Sequence, residues 1–263
     1  MRYALWLWFA LFSQGVLAQT LIIGMEDANN KPFEYVADSG ELTGFHTEVV
    51  KQVTASLGWK VEFVRLPWTR VVKMLENGEV NAVTYMAKSI EREKFALYLP
   101  DNLLHISQST IYIKKSRANE ILYDPPLEHF VTRWRVAVPT GYHINDEAMA
   151  LIRNNYPLQQ RTVTMAQLFL MLVNDRYDAI LGGSNALLRS KTAVENMEEI
   201  VQPLQGALFP SEPMYIAFSR QSGGKLAYEF AIAYKQFRQQ PAYREIAERF
   251  NVIAWLPGER DFD

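Results

Sequence analysis

The chain has 263 residues, 49% of them hydrophobic and 21% charged, with 27 Lys and Arg against 29 Asp and Glu and no cysteine. That is ample for one large core or two ordinary ones, and it excludes disulfides, thiol chemistry and a lipid-modified cysteine anchor. A net charge of −2 with no long block of one sign argues against nucleic acid as a partner.

At the start, Arg2 precedes the apolar run Tyr3 to Phe12, and Val16-Leu17-Ala18 supplies small residues where a signal peptidase cuts. The expectation is an export signal over residues 1–18, a mature chain from Gln19, and a periplasmic location. The apolar run is about ten residues against the roughly 20 needed to cross a bilayer, so no membrane anchor is expected.

Beyond it, short β-type runs alternate with helical periodicity, the pattern of a mostly parallel sheet covered by helices. Strands are predicted at Leu21 to Gly24, Val61 to Val64, Ala82 to Tyr85, Thr110 to Ile113, Arg135 to Val138, Asp178 to Leu181 and Met214 to Phe218. Val49, Val50, Val53 and Leu57 share one helical face that Gly58 should end, and Lys114 to Arg133, with Pro125-Pro126, reads as irregular surface. Leu226, Phe230, Ala233 and Phe237 form a later stripe, and a last helix is predicted from Ala242 to Phe250 with Pro241 in its first turn. Met74 to Val83 and Met171 to Ile180 both read helix end, tight turn, buried strand. This echo fits two similar halves, although helix-turn-strand junctions also draw on few residue types.

In open parallel sheets ligands sit beyond the carboxyl ends of the strands. The residues there are Met25, Glu26 and Asp27, then Tyr85 and Met86, then Pro139 to His143, and finally Gly182 to Asn185.

Several stretches, in order, carry a resemblance that spans nearly the whole chain after residue 18. They are Ile23-Gly24 with Lys31-Pro32-Phe33-Glu34-Tyr35, Gly40-Glu41-Leu42-Thr43-Gly44-Phe45, Leu57-Gly58-Trp59-Lys60-Val61, and Pro67-Trp68. Leu75-Glu76-Asn77-Gly78, Ser89-Ile90-Glu91-Arg92, Val136-Ala137-Val138-Pro139-Thr140-Gly141 and Tyr177-Asp178-Ala179-Ile180-Leu181-Gly182 continue it. The sequence resembles the family 3 bacterial extracellular solute-binding proteins, type II periplasmic binding proteins best known for amino acids. The resemblance implies an α/β fold of two lobes, each a mostly parallel sheet flanked by helices. Residues 19–112 and 214–263 would form lobe one and 113–213 lobe two, with crossings at Tyr112-Ile113-Lys114 and Pro213-Met214-Tyr215. It implies a monomer that binds a small-molecule solute, serves a membrane permease or sensor, and carries no cofactor or metal.

The same resemblance places Arg92, in the first turn of a helix capped by Ser89, where the family grips a ligand carboxylate; a planar fork of donors suits that task. The mixed-charge run Glu91 to Lys94 reads equally as a solvated face. Trp68 stands at a ligand-lining position, with core packing as its alternative, and Arg70 faces either the cleft or an acid. Tyr85 and Met86 replace the small polar residues usual there. Thr140, Tyr142 and His143 lie in the loop that binds the ligand from the second lobe, where backbone amides suit an anion. Gly183 stands where amino-acid binders place an aspartate for the ligand ammonium. Glu26 and Asp27 are the nearest substitute acids, and Ser184 offers a neutral hydrogen bond or a helix cap.

Two enzyme readings compete. Gly182-Gly183-Ser184-Asn185-Ala186 looks like a hydrolase elbow, but all four histidines precede Ser184 and Ala186 replaces the final glycine. A lyase of the dehydratase type on the same fold, using Glu26 or Asp27 as acid or base, is the stronger rival.

Overall fold

A computed structural model describes residues 19–187 and 196–262. The expected signal segment therefore lies outside the described residues. Strand β1 (Thr20–Glu26) is followed by the short pair β2 (Tyr35–Val36) and β3 (Leu42–Thr43), then helix α1 (Phe45–Ser56), β4 (Lys60–Leu66), α2 (Trp68–Glu76), β5 (Ala82–Ala87), α3 (Ile90–Glu93) and β6 (Ala96–Leu97). The long strand β7 (Leu103–Lys114) leads into α4 (Leu127–Arg133), β8 (Val136–Pro139), α5 (Asp146–Arg153), β9 (Leu158–Arg161), α6 (Met165–Val173) and β10 (Ala179–Gly183). After α7 (Met197–Ile200) come β11 (Val201–Ser219), α8 (Gly224–Arg238) and α9 (Pro241–Arg249).

One curled sheet runs through the molecule in the order β4-β1-β5-β11-β7-β10-β8-β9, with β6 paired to β11. Its two ends are parallel βαβ units: β1 lies between β4 and β5, and β8 lies between β10 and β9. Between them β7 and β11 form an antiparallel ribbon, from Leu103 opposite Tyr215 to Lys114 opposite Val201. This is the two-lobed type II periplasmic binding fold, with the ribbon, among the described residues, as the strands that join both ends.

The cores follow the same division. Leu21, Ile23 and Met25 of β1 pack with Val49, Val50 and Val53 of α1 and with Leu226, Phe230 and Phe237 of α8. Gly24 permits the close approach of α2, since a Cβ there would lie 2.7 Å from Val71 Cγ1. Ile111, Ile113, Val136 and Leu181 form a second core with Leu127, Phe130 and Val131 of α4. That corrects the reading of Lys114 to Arg133 as irregular surface: its apolar residues close the floor of the second half. Leu104 belongs to the first core, Ile111 and Ile113 to the second, and Tyr112 already pairs with Ile180 of β10.

The sequence echo is a backbone echo. After α2, Gly78 N donates to Leu75 O at 3.2 Å and Glu79 N to Met74 O at 2.9 Å. After α6, Asp175 N donates to Leu172 O at 3.1 Å and Arg176 N to Met171 O at 2.9 Å. Gly78 (φ 73°) and Asp175 (φ 58°) take the left-handed conformation that such helix ends require.

Candidate functional site

Where the ends of the parallel strands face each other, a cavity enclosing about 610 Å³ of non-atom space, part of it open to solvent, lies between the lobes. The first lobe lines it with Glu26, Asn30, Glu34, Trp68, Tyr85, Ala87 and Arg92, the ribbon with Ser107, Gln108, Ser109 and Met214, and the second lobe with Tyr142, His143, Ile144 and Gly183.

Arg92 sits in α3, whose Ser89 cap accepts a hydrogen bond from Arg92 N at 3.3 Å. The side chain is turned inward and buried, so the solvated-face alternative is not what the fold uses. Its Nη1 donates to Ala87 O (2.7 Å) and its Nη2 to Gly141 O across the cleft (2.9 Å), and the guanidinium lies 5.6 Å from the Trp68 ring centre. Burial lowers its pKa from the usual value. Among the described residues those carbonyls are its hydrogen-bond partners, which leaves its other N–H groups for an anion in the cavity. Trp68 Nε1 donates to the same Gly141 oxygen at 3.0 Å.

Glu26 is buried at the cavity wall, accepting from Tyr142 OH across the cleft and from Asn30 Nδ2 at 2.9 Å. Asp27 is exposed and belongs instead to an outer groove with Thr140, Thr162, Thr164 and Gln167, on the far side of Trp68 and Tyr142. Tyr85 reaches the cavity because its backbone is left-handed (φ 58°), and its hydroxyl accepts from Asn185 Nδ2 of the second lobe at 2.8 Å. The same twist turns Met86 the other way. Fully buried among Trp68, Val71, Leu75 and Val83, it is a core residue, which corrects its assignment to the site. Arg70 is exposed.

In the second lobe Tyr142 and His143 line the cavity and Thr140 does not. His143 has a side chain only 5% exposed, with Nε2 3.6 Å from Asp146 and 3.7 Å from Glu212. Burial, followed by the charge of Arg92, lowers its pKa, so it faces the cleft as a neutral ring. Ser184 touches the site only through its backbone: its N donates to Gln108 O at 2.6 Å and its carbonyl accepts from Tyr112 OH at 3.0 Å. Asn185 comes closer. Its Oδ1 has no hydrogen-bond partner among the described residues and lies 3.1 Å from where a Cβ on Gly183 would stand.

Glu34, Asn30, Ser107 and Ser109 are the cavity's principal surprises. Glu34 Oε1 lies 2.8 Å from His46 Nδ1, and His46 Nε2 lies 3.0 Å from His105 Nδ1, a buried file of three ionisable groups. The available signal was composition: Ser107-Gln108-Ser109 breaks an otherwise apolar strand, and His46 follows Phe45 at the start of an apolar helix face.

Residues 21–252 match the bacterial extracellular solute-binding proteins, family 3. The chain belongs to that family. Among family relatives, it is 31% identical over 105 residues to a probable amino-acid ABC transporter-binding protein of Haemophilus influenzae, covering 39% of each chain. It is 21% identical over 158 residues to a probable histidine-binding protein of Neisseria gonorrhoeae, covering 60% of this chain and 57% of that one. The matched stretches thus span less than two thirds of either relative. Among solved structures, a putative L-cystine ABC transporter protein from Listeria monocytogenes superposes with a TM-score of 0.74 at 18% identity, covering 91% of this chain and 99% of the other.

Proposed function

We propose that this family member captures a small polar or carboxylate-bearing, amino-acid-like solute between its lobes in the periplasm and passes it unchanged to a membrane transporter. The observation that carries this reading is the position of Arg92. A buried guanidinium at the edge of the inter-lobe cavity, sharing one carbonyl of the opposite lobe with Trp68, brackets a space suited to an anion in low dielectric. On this reading Arg92 and Trp68 hold the carboxylate end, Glu26, Tyr85, Tyr142 and His143 line the rest, and Asp27 and Thr140 mark the entrance. The lobes rotate about the β7–β11 ribbon near Ser107 to Ser109 and Ser211 to Pro213, and the solute selects the closed state.

A thermal-shift panel of amino acids and small organic acids tests it. A solute at a hundred times its Kd adds about 2.7 kcal/mol, a rise of several degrees for a chain of this size. Mass spectrometry of the recovered solute should find it unaltered. Conversion of it would favour a dehydratase-type activity instead.

A further inference from the structure

Gly183 leaves a bare position in the second wall, and the atoms around it are oxygens. A Cβ built there would meet Asn185 Oδ1 at 3.1 Å, Ser107 Oγ at 3.7 Å and the Gln108 carbonyl at 3.9 Å. Gly183, Ser107 and Gln108 all line the cavity. The backbone does not call for glycine at this point, since Gly183 is not one of the glycines with positive φ. What the missing side chain leaves is a notch with oxygen walls.

Asn185 is the member of that notch whose bonding is incomplete. It is only 3% exposed, and its Nδ2 donates to Tyr85 OH across the cleft at 2.8 Å, which holds the amide with Oδ1 towards Gly183. That oxygen has no hydrogen-bond partner among the described residues. Buried amide oxygens nearly always have one, so an unpartnered oxygen beside a cavity points to a donor on the ligand. The Gln108 carbonyl accepts from Ser184 N at 2.6 Å and keeps a second lone pair. None of the three oxygens belongs to an ionised group. The cavity's carboxylates stand on the first lobe, where Glu26 accepts from Tyr142 OH and Asn30 Nδ2 and Glu34 lies against His46. An ammonium in the notch would exchange water for neutral dipoles alone, which is costly for a cation. A hydroxyl or amide N–H makes the same hydrogen bond without that cost.

We propose that the notch at Gly183 is a subsite for an uncharged hydrogen-bond donor of the solute, a hydroxyl or an amide N–H, with Asn185 Oδ1 as its acceptor. The inference rests on the capture reading above and narrows it: the solute pairs its carboxylate with a neutral donor instead of an ammonium group. Asn185 thereby sets specificity from the second lobe.

Calorimetry with two matched sets of acids tests it. One set is L-phenyllactate, L-phenylalanine and hydrocinnamate; the other is gamma-hydroxybutyrate, succinamate, gamma-aminobutyrate and butyrate. In at least one set a neutral-donor member should bind the wild-type protein at least about tenfold tighter than both the ammonium and the unsubstituted member. Gly183→Ala fills the notch and should bring that member down to the unsubstituted one. Asn185→Asp places a carboxylate there and should reverse the ranking in favour of the ammonium member. The wild-type comparison needs no variant: an ammonium preference in both sets, or a neutral donor that adds nothing, overturns the proposal. A ranking that Asn185→Asp fails to reverse overturns it as well. If neither set binds while other solutes of the wider thermal-shift panel do, the notch proposal falls and capture stands; if the whole panel fails, both fall.

Discussion

The two walls of the cleft grow from the same structural unit and are chemically unlike. Each ends a parallel βαβ unit, and the junctions after α2 and α6 repeat the same backbone hydrogen bonds. Yet the first wall carries Arg92, Glu26 and Glu34, while the second offers the Gly141 carbonyl, the Tyr142 hydroxyl, Ile144, bare backbone at Gly183 and a neutral His143. Where the frame had to be kept, residue types recur. Where the two surfaces meet a solute they diverge, and charge is concentrated on one of them. On the capture reading proposed above, the difference teaches that the first lobe recognises and the second covers.

The largest break in that asymmetry is Arg92→Ala. It removes the first wall's cation and one donor from each of two carbonyls, Ala87 O keeping the Tyr98 hydroxyl and Gly141 O keeping Trp68 Nε1. Solute affinity should fall by about 3 kcal/mol, on the order of a hundredfold in Kd by calorimetry. Arg92→Lys should recover only part of this, because an ammonium cannot span both carbonyls. Gly183→Asp attacks from the other side by giving the second wall a charge. Its Cβ would stand 3.1 Å from Asn185 Oδ1, so Asn185 must yield. The solute-free protein should lose about 2 kcal/mol in thermal unfolding, and preference should shift towards ammonium-bearing solutes.

Trp68→Phe deletes one donor to Gly141 O and keeps the ring. It should weaken solute binding by about 1 kcal/mol, and unchanged affinity would remove the indole N–H from the closure. The smallest effect concerns Glu212 of the ribbon, opposite Ser107 and 3.7 Å from His143. Burial, then the charge of Asp146, raises its carboxyl from 4.5 to about 7. The folded state therefore holds a proton that the unfolded chain has already lost, and stability declines as pH rises from about 4.5 to about 7. Glu212→Gln should raise the Tm slightly at pH 8, by no more than about 1 kcal/mol after solvent screening, and leave it unchanged at pH 4.

The parallel strands, the helical stripe of α1, the Pro241 start of α9 and the Ser89 cap that presents Arg92 were legible because each is a local pattern of residue types. The early half of β11 was not. The predicted strand began only at Met214, whereas β11 starts at Val201 and carries Pro203 and Pro210 where its register with β7 shifts. Met86 was misplaced because strand alternation cannot foresee a left-handed Tyr85. Glu34 and Asn30 reach the cavity through the chain path after β1, which depends on tertiary packing and leaves no periodic trace.

The Gly141 oxygen accepts from Trp68 Nε1 and Arg92 Nη2 at once, at 3.0 and 2.9 Å. A main-chain atom cannot be replaced by a codon change. Evolution can therefore redecorate Tyr85, Tyr142 and His143 while this fastening persists, provided residue 141 stays a glycine that holds its left-handed turn (φ 78°) and Arg92 and Trp68 remain to donate.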